Sequence, residues 1–502
     1  MLVANRGEIA LRVMRTCREM GIRTVAVFSD ADRGALHVAY ADEAYWIGPA
    51  PATESYLRGD RICEVAARAG ADAIHPGYGF LSENAEFAVL CTVAGITFIG
   101  PPADAMRRLG SKIGARQAAD AVGMPRVPGS VTALRDVAEA ERVAGEIGYP
   151  VMLKATAGGG GKGMRAVASA GEMSGAFVAA QSEAERSFGC GDVYLERLLE
   201  RPRHIEIQLM ADEHGNCLYL GERECSVQRR HQKVVEEAPS AVVGEALRRR
   251  MGEAACRLAL SAGYVNAGTV EFLVEERDGE QRFYFLEMNT RLQVEHPVTE
   301  LVTGLDLVRM QLEIAMGEPL RLRQEEISTR GHAIECRIYA EDPENGFCPS
   351  PGKITRLLQP AGPGIREDCG VYEGWEVPLE YDPMLSKLVA FAETREAAID
   401  RMLRALDEYA IGGIKTNVGL FRKILLDAAF RAGQIDTGYL ERLLEAEVGA
   451  GERAVPDEVV AIAAALLSAS GRRERRMATV MATVDAGQSR WGDAGRREGL
   501  RG

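Results

Sequence analysis

Phe283-Tyr-Phe-Leu-Glu-Met-Asn-Thr-Arg-Leu-Gln-Val-Glu-His-Pro297 is the stretch of sequence that says most about fold and function. Its first residues are aromatic and apolar, which predicts a buried strand. From Glu287 onward polar residues occupy every second position, and alternate side chains of an extended chain share one face. An exposed strand alternates similarly for solubility, but this stretch lacks lysine and serine and sets opposite charges close together. We therefore predict a ligand-binding wall of Glu287, Asn289, Arg291, Gln293 and Glu295, with Met288, Leu292 and Val294 facing a core.

Length and composition indicate a multidomain globular protein. The 502 residues exceed what one core organises, so about three domains are expected. A net charge of −13 argues against nucleic acid or an anionic membrane as a partner. The ten cysteines form no C-x-x-C pair, which argues against a disulfide framework or a zinc site and suits a reducing cytosol. With no long apolar run and no signal peptide, we expect a cytoplasmic protein without a membrane span.

Residues 1–108 alternate short apolar strands with amphipathic helices. A loop at Asn5–Glu8 follows the first strand, and the strand starts abruptly at Met1, so a few residues are expected upstream. This βαβ alternation predicts a doubly wound parallel sheet, a fold that by itself determines no function. The predicted strands are Leu2–Ala4, Thr24–Phe28, Ala71–His75 and Thr97–Ile99, with helices near 60–69 and 84–94.

Residues 109–316 contain a glycine-rich loop, Ala157–Gly163, between the strand Tyr149–Lys154 and the extended segment Met164–Ala168. The loop formally matches G-x-G-x-x-G, but that fingerprint needs a helix directly after it. It also fails as a Walker A loop, because Gly163 stands where serine or threonine is required. Backbone amides and lysines flanked by strands favour a lid that closes over phosphates, rather than a plain hairpin tip.

The rest of the chain is predicted as a third unit and a tail. Residues 330–445 begin with a strand at Gly331–Tyr339, turn at Cys348–Gly352 and end in helices from 394 onward, which predicts a mixed sheet and helix domain. Residues 446–502 contain one helical segment, Val459–Leu467, the basic run Arg472–Arg476 and an isolated Trp491. A basic run in a tail is typical of a solvated surface.

Further charged residues could complete the wall. Glu271 interrupts the apolar strand Thr269–Val274 and, beside Glu287 on a neighbouring strand, would make a two-carboxylate site suited to Mg²⁺ and nucleotide phosphates. The stretch Cys225–Glu237 is densely basic and then acidic. It could be a solvated loop, but if it is extended, His231 and Lys233 lie on one face. Arg337 and Glu335 share the polar face of a strand, where a structural ion pair is the alternative to a functional role.

Taken together, these stretches resemble the biotin carboxylase family of ATP-grasp enzymes, from residue 2 to about 445. Motifs of this length in this order are highly specific. The motifs are ANRGEIA at 4–10, HPGYGFLSEN at 75–84, KATAGGGGKGMR at 154–165, RPRHIEIQ at 201–208, CSVQRRHQKVVEEAP at 225–239, EMNTRLQVEHPVTE at 287–300, GHAIECRIYAEDP at 331–343, PSPGKI at 349–354 and GIKTN at 413–417.

The resemblance implies a central ATP-grasp domain whose mobile lid spans about 127–200. It implies a reaction in which ATP and hydrogencarbonate make carboxyphosphate, whose CO₂ is captured by biotin on a carrier protein. The required cofactors would be ATP and Mg²⁺ or Mn²⁺, with two ions expected. Biotin would be a carrier-bound substrate that is not attached to this chain.

The resemblance also assigns roles to individual residues. The nucleotide contacts would come from Lys112, Lys154, Gly158, Gly159, Gly160, Gly161, Lys162, Gly163 and His204, from the adenine-hinge residues Glu196 and Leu199, from Leu273, and from Gln228 and His231 at the ribose. The metal ligands would be Glu271, Glu287 and Asn289. Hydrogencarbonate would meet Lys233, Arg291, Gln293, Val294 and Glu295. Glu295 would be the general base and Arg337 the group that stabilises the biotin enolate.

The partners follow from what the chain lacks relative to longer family members. The last lysine is Lys423, so the tail is expected to carry no biotin, and no length remains for a carboxyltransferase. We therefore expect separate biotinyl carrier and carboxyltransferase subunits, as in a multisubunit acetyl-CoA or acyl-CoA carboxylase, and a homodimer. The alternatives are the biotin carboxylase subunit of a pyruvate carboxylase, a sister ATP-grasp carboxylating ligase, and a non-enzymatic nucleotide-binding subunit.

Overall fold

A computed structural model describes residues 1–449, except 131, 156–163 and 278. The side chains of residues 112, 113, 188 and 447–449 are likewise outside the description. The chain divides into a compact unit, Met1–Arg442, and a second unit, Leu443–Gly502. The predicted tail features at Val459–Leu467, Arg472–Arg476 and Trp491 lie outside the described residues.

The N-terminal region forms a parallel sheet, as predicted, but the sheet has five strands, of which Glu43–Gly48 was not predicted. Its strands lie in the spatial order third, second, first, fourth, fifth, so the chain winds outward in both directions from the first strand. The segment expected as a loop at Asn5–Glu8 already contains the first turn of a helix, which begins at Gly7. The strands are Leu2–Val3, Val25–Ser29, Glu43–Gly48, Ala73–His75 and Thr97–Phe98, and the helices are Gly7–Glu19, Leu36–Tyr40, Gly59–Arg68, Ala85–Val93 and Ala103–Gly110.

An eight-stranded antiparallel sheet forms the centre of the compact unit. Three strands from the predicted third unit continue the central sheet, so the two predicted regions share one sheet. In spatial order the strands are Glu280–Asn289, Asn266–Arg277, Arg203–Ala211, Cys217–Arg229, Gln232–Ala238, His332–Tyr339, Met384–Ala392 and Ile365–Cys369. Four helices pack against this sheet: Lys112–Ala121, Glu245–Ser261, His296–Thr303 and Leu307–Ala315.

The predicted lid has a sheet and a core of its own. Val151–Ala155 is the middle strand and pairs antiparallel with Met164–Val167 and Val193–Arg197. Apolar side chains from this sheet and from the helices Val137–Ile147 and Ala170–Phe188 form a separate buried cluster. The strands on either side of the glycine-rich segment are paired with each other, and a strand rather than a helix begins directly after it at Met164, which excludes the dinucleotide fingerprint.

The basic segment Cys225–Glu237 is not a solvated loop. It belongs to an antiparallel hairpin whose strands, Cys217–Arg229 and Gln232–Ala238, lie inside the large sheet. Arg230 and His231 form the turn with φ of 49° and 66°. His231 therefore lies at the hairpin tip, and the expectation that it shares a strand face with Lys233 is wrong.

The remaining C-terminal elements are short strands and helices. Cys348, expected in a turn, belongs to one of the short strands. Among the described residues, the helices are too short or too polar to cross a lipid bilayer. The paired strands are Glu341–Asp342 with Cys348–Pro349, Gly352–Lys353 with Glu376–Val377, and Arg356–Leu358 with Ala410–Gly412, and the helices are Arg395–Glu408, Val418–Leu426, Ala428–Arg431 and Tyr439–Gly449.

Candidate functional site

A β-bulge in the strand Glu280–Asn289 brings the first carboxylate of the wall out of the core. The pairing with the neighbouring strand moves from Phe272↔Phe285 to Glu271↔Glu287, which leaves Leu286 as the extra residue, 36% exposed. A bulge reverses the alternation of the side chains that follow. Phe285 and Met288 consequently pack in one core, although strict alternation would put them on opposite faces.

The predicted alternation beyond the strand is wrong. The strand ends at Asn289, and the residues from 290 to 295 form a loop that leads into the helix His296–Thr303. The loop residues reach the site because other segments hold them. Glu83, from the N-terminal region, accepts hydrogen bonds from the Thr290 backbone N–H and the Arg291 Nε, both at 2.9 Å.

Glu271 and Glu287 lie directly opposite each other on neighbouring strands, as predicted. The Asn289 Nδ2 donates to Glu271 Oε1 at 2.8 Å, and the Asn289 Oδ1 lies 3.4 Å from the Arg291 Nη2. Burial raises the pKa of the Glu271 carboxyl, but Lys233 and His204 outweigh it and hold the pKa well below the usual range. Glu271 is therefore a carboxylate at neutral pH.

Lys233 contacts three carboxylates of the site. Its Nζ donates to Glu206 at 2.5 Å, to Glu271 at 2.9 Å and to Glu295 at 2.6 Å. Burial lowers the pKa of the lysine, but the three carboxylates outweigh burial and raise it well above the ordinary value. The Lys233 ammonium group therefore links Glu271, a predicted metal ligand, to Glu295, the predicted general base.

A fully buried arginine, Arg223, holds Glu206, one of the three carboxylates that Lys233 contacts. Arg223 has no exposed surface and donates to Glu206 at 2.5 Å, to Gln208 at 2.7 Å and to Thr299 at 3.0 Å. Removing one partner of such a buried pair costs about 3–5 kcal/mol, so Arg223 and Glu206 are mutually dependent. Sequence reasoning missed both residues, although Glu206 lies in the quoted motif at 201–208 and Arg223 interrupts a strand between two glutamates.

Glu295 is held as a carboxylate between two cations. Its Oε1 accepts from Lys233 at 2.6 Å and its Oε2 accepts from the Arg337 Nη2 at 2.9 Å. Burial raises the pKa of Glu295, but Lys233, Arg337 and Arg223 hold it well below its usual range. The structural ion pair considered for Arg337 and Glu335 is not formed, because the carboxylate partners of Arg337 are Glu236 and Glu295.

Hydrogen-bond donors gather next to Glu295. The buried Nε2 of Gln293 has no hydrogen-bond partner among the described residues, while the Gln293 Oε1 accepts from the Arg291 Nη1 at 3.0 Å. The Val294 carbonyl accepts from the Lys387 Nζ at 2.9 Å, which fixes the adjoining peptide. A buried donor without a partner costs about 1–3 kcal/mol, which indicates that a ligand atom belongs there.

Two cavities are lined by predicted site residues. A cavity of about 690 Å³ is lined by the predicted nucleotide residues Lys154, Glu196, His231, Leu273, Glu287 and Asn289. A second cavity of about 340 Å³ is lined by Arg291, Val294, Arg337 and Tyr78, among others. A third cavity of about 770 Å³ lies beside Tyr149, Arg201 and Asp436. It is larger, but its lining includes none of the predicted site residues, so the chemistry belongs to the first two.

Contacts on the nucleotide side tie the lid to the body. The Lys154 Nζ donates to Glu196 Oε2 at 2.6 Å. The Glu196 Oε1 is paired with Arg116, which stacks 4.3 Å from the ring centre of Tyr194. Arg116 was not among the residues predicted from the sequence. Lys154 and Glu196 both belong to the lid sheet and both line this cavity, so the contact that ties the lid to the rest of the protein is made by Arg116.

His204 and Gln228 form a pair beside the carboxylates. The Gln228 Nε2 lies 2.8 Å from His204 Nδ1, and the His204 Nε2 lies 3.0 Å from Glu271 Oε2. Burial lowers the pKa of His204, but Glu271 outweighs burial and raises it above its ordinary value. The predicted ribose and phosphate roles of these two residues stay predictions.

Several predicted nucleotide contacts lie wholly or partly outside the description. Lys112 begins the helix Lys112–Ala121, but its side chain is outside the description. Gly158–Gly163, including Lys162, lie outside the described residues. Leu199 is buried two residues beyond the end of the strand Val193–Arg197.

The donor set fits a hard divalent cation. Glu287 and Asn289 supply a carboxylate and an amide oxygen at the wall of the 690 Å³ cavity, and Glu271, opposite Glu287, adds a second carboxylate. Mg²⁺ prefers one or two carboxylates together with phosphate oxygens and water. A second cluster, formed by His204, Glu206 and Glu271, offers donor atoms within 4.8 Å of one another, but the Lys233 Nζ bonds two of its three members.

An antiparallel sheet that carries paired carboxylates, together with a small separate sheet on either side of a glycine-rich segment, is typical of the ATP-grasp class of ligases. Residues 111–323 match the family described as carbamoyl-phosphate synthase L chain, ATP binding domain. Residues 1–106 match the biotin carboxylase N-terminal domain and residues 335–442 match the biotin carboxylase C-terminal domain. The chain belongs to the biotin carboxylase family.

Relatives and solved structures agree with this membership. A biotin carboxylase of Halalkalibacterium halodurans is 55% identical over 449 residues, covering 89% of this chain and 98% of the relative. One of the pyruvate carboxylase subunits of Methanothermobacter thermautotrophicus is 54% identical over 441 residues, covering 88% of this chain and 89% of the relative. The Campylobacter jejuni biotin carboxylase in a β,γ-ATP complex is 48% identical with a TM-score of 0.82, covering 88% of this chain and 98% of that chain.

A further solved structure bears on the ligands. The biotin carboxylase domain dimer of the Hydrogenobacter thermophilus 2-oxoglutarate carboxylase, in complex with MgADP, ADP and bicarbonate, is 49% identical. Its TM-score is 0.81, and the match covers 88% of this chain and 96% of that chain.

Proposed function

We propose that this chain carries out the ATP- and hydrogencarbonate-dependent carboxylation of biotin held on a separate carrier protein. The observation that carries the proposal is the environment of Glu295. Its buried carboxylate accepts hydrogen bonds from Lys233 and Arg337, and two residues earlier in the chain the buried Nε2 of Gln293 has no hydrogen-bond partner within the described residues. A general base, an anion pocket and a permanent cation are thus in one place, and these are the groups that the reaction requires.

The nucleotide side would hold ATP with Mg²⁺ or Mn²⁺, with two ions expected. We assign Glu271, Glu287 and Asn289 as the metal ligands, because Glu287 and Asn289 line the nucleotide cavity and Glu271 lies directly opposite Glu287. When bound, the metal would offset the negative charge that develops on the phosphate oxygens during the reaction. Lys154, His204 and the glycine-rich lid would contact the phosphates, and Glu196, Leu199 and Leu273 would enclose the adenine.

Hydrogencarbonate would bind between the two cavities. Arg291, the Gln293 Nε2 and the Val294 backbone N–H would donate to its oxygens, and Lys233 would offset its charge. Glu295 would remove its proton, which converts a poor nucleophile into one able to attack the γ-phosphorus of ATP. A positioned base of this kind typically contributes about 10²–10⁴-fold. The products of the attack are ADP and carboxyphosphate.

Biotin would occupy the smaller cavity, where Arg337 and Val294 form part of the wall. Carboxyphosphate would decompose to CO₂ and phosphate next to the ureido ring, and the phosphate would accept the N1 proton of biotin as the enolate forms. Arg337 would stabilise the negative charge on the ureido oxygen in the enolate form. Arginine suits this role because its guanidinium stays charged at every physiological pH.

The final acceptor of the carboxyl group differs among the relatives. Biotin carboxylases, a propionyl-CoA carboxylase alpha chain and one of the subunits of a pyruvate carboxylase all match the chain at 49–55% identity. We therefore assign the first half-reaction, which these relatives have in common. We further propose a cytoplasmic homodimer that works with separate carrier and carboxyltransferase subunits, since one related structure is a dimer of this domain.

Transfer of labelled carboxyl groups tests the proposal. The protein would be incubated with ¹⁴C-hydrogencarbonate, ATP, Mg²⁺ and a biotinylated carrier domain. We expect acid-labile label on the carrier that requires ATP and biotinylation. Label that is absent from the biotinylated carrier, while ATP is hydrolysed, would contradict the proposal.

A further inference from the structure

The carboxylate contacts of Arg337 use only part of its guanidinium. Nε donates to Glu236 Oε1 at 2.6 Å, and Nη2 donates to Glu295 Oε2 at 2.9 Å. Within the described part of the chain, neither carboxylate contact uses Nη1. Since Arg337 also lines the smaller cavity, the two carboxylates decide how the guanidinium is oriented towards it.

Glu236 is rigidly placed for this contact. It lies on the strand Gln232–Ala238, has no exposed surface, and faces Glu335 across the pairing with the strand His332–Tyr339. Arg337 is two residues further along that strand, so its side chain lies diagonally on the same face and within reach. The second oxygen of Glu236 has no partner among the described residues, so Arg337 is the group that satisfies this carboxylate.

Asn417 holds the backbone of Arg337 from another direction. Its Nδ2 donates to the Arg337 carbonyl at 2.9 Å, and its Oδ1 accepts from the Tyr339 N–H at 2.9 Å. The Asn417 backbone N–H also donates to the Tyr339 carbonyl at 3.3 Å. The pairing with Gln232–Ala238 ends at Cys336, so Asn417 takes the place of a neighbouring strand where the sheet stops.

We propose that Glu236 and Asn417 are positioning residues for Arg337, the first through its guanidinium and the second through its backbone. Together they would hold Nη1 towards the ureido oxygen of biotin. The inference rests on the proposed function and adds two residues to it. It also gives a role to two motifs, KVVEEAP and GIKTN, that the assigned catalytic residues leave largely unexplained.

Glu335 supplies a matched control for Glu236. It lies opposite Glu236 on the paired strand, is fully buried, and both of its oxygens lack a partner within the described residues. Burial raises the pKa of Glu335 well above its usual range, against the opposing effects of Lys387 and Arg337. Glu335 forms no hydrogen bond with Arg337 within the described residues, so replacing it with glutamine keeps the shape of the side chain and leaves the contacts of Arg337 intact.

Steady-state kinetics with free biotin test the proposal. Loss of a residue that orients a metal ligand typically lowers activity by about 10–100-fold, and we expect a similar loss for a residue that orients Arg337. We expect kcat/KM for biotin to fall by about that factor in Glu236→Gln and in Asn417→Ala. The KM for ATP should stay within about twofold of the wild type, and Glu335→Gln should keep normal values for both substrates.

Chemical rescue separates positioning from general structural damage. In Arg337→Ala, added guanidinium should restore part of the biotin-dependent rate, because Glu236 would hold it in place. The double variant Arg337→Ala with Glu236→Gln should not respond. Rescue that is equal in the two backgrounds would overturn the role of Glu236.

Other results also decide the question. Unchanged biotin kinetics in Glu236→Gln would refute the inference, as would parallel loss of biotin and ATP kinetics in Glu236→Gln and Glu335→Gln. If Glu236→Gln does not fold, Glu236→Asp keeps the charge but moves the carboxylate, and the same biotin-specific loss is expected. A wild-type protein whose ATP hydrolysis ignores biotin would refute the proposed function itself, whereas normal wild-type turnover with an unaffected Glu236→Gln refutes only this inference.

Discussion

Replacing Arg337 with methionine tests the assignment of the biotin side. Methionine keeps most of the apolar stem and removes the charge. The guanidinium would act where charge develops on the ureido oxygen, and loss of one such preorganised donor costs about 2.7–4 kcal/mol, or 10²–10³-fold. The larger cavity is lined by other residues, so binding of ATP should be preserved.

The structure adds a complication, because Arg337 also neutralises two buried carboxylates. Its side chain is 11% exposed, and Glu236 and Glu295 are fully buried. Removing one partner from buried ion pairs costs about 3–5 kcal/mol of stability. Arg395→Met is a suitable control, since Arg395 donates to both oxygens of Glu237, at 2.7 and 3.1 Å, and is similarly buried.

The assay is ATP hydrolysis at saturating hydrogencarbonate, with free biotin varied. Arg337→Met should lose about 10²–10³-fold in kcat/KM for biotin and keep the KM for ATP within about threefold. Arg395→Met should lose stability in urea unfolding but keep its biotin kinetics. Normal biotin turnover in Arg337→Met, or equal losses in the two variants, would refute the assigned role.

Glu295→Gln should abolish hydrogencarbonate-dependent ATP hydrolysis, since the amide cannot accept the proton; a retained rate would remove Glu295 as the base. Glu287→Gln should raise the Mg²⁺ concentration for half-maximal activity by at least about tenfold, as measured by metal titration, because even outer-shell losses reach this size. Burial lowers the pKa of His37 from 6.5 to about 4. Between pH 6.5 and pH 4 the unfolded chain therefore binds a proton at His37 that the folded protein does not bind, so lowering the pH favours unfolding. Acidification from pH 7 to 4.5 should lower the free energy of unfolding of the wild type by about 2–3 kcal/mol more than that of His37→Gln, as measured by urea unfolding. Equal losses of unfolding free energy in the wild type and in His37→Gln would contradict the prediction for His37.

The sequence predicts the elements of the fold better than their boundaries. The N-terminal parallel sheet and the strands around the glycine-rich loop follow from local alternation and composition, which depend on near neighbours. The joining of His332–Tyr339 to the central sheet depends on pairing with Gln232–Ala238, about a hundred residues earlier. Such distant pairing has no local signal in the sequence, so the two regions were predicted as separate units.

The same distinction holds for the site. Glu271 and Glu287 could be paired from strand patterns alone, and the structure sets them opposite each other. The bulge at Leu286 could not be predicted, because it is defined by a register between two strands rather than by one segment. Arg223 and Glu236 were missed because their roles depend on contacts with side chains from other strands.

The dependence of ATP hydrolysis on both hydrogencarbonate and free biotin tests the central claim most directly. With Mg²⁺ present, we expect the wild-type rate to rise when biotin is added, and to fall to background when hydrogencarbonate is removed. A rate that requires hydrogencarbonate but ignores biotin would contradict the account and indicate a different ATP-grasp ligase.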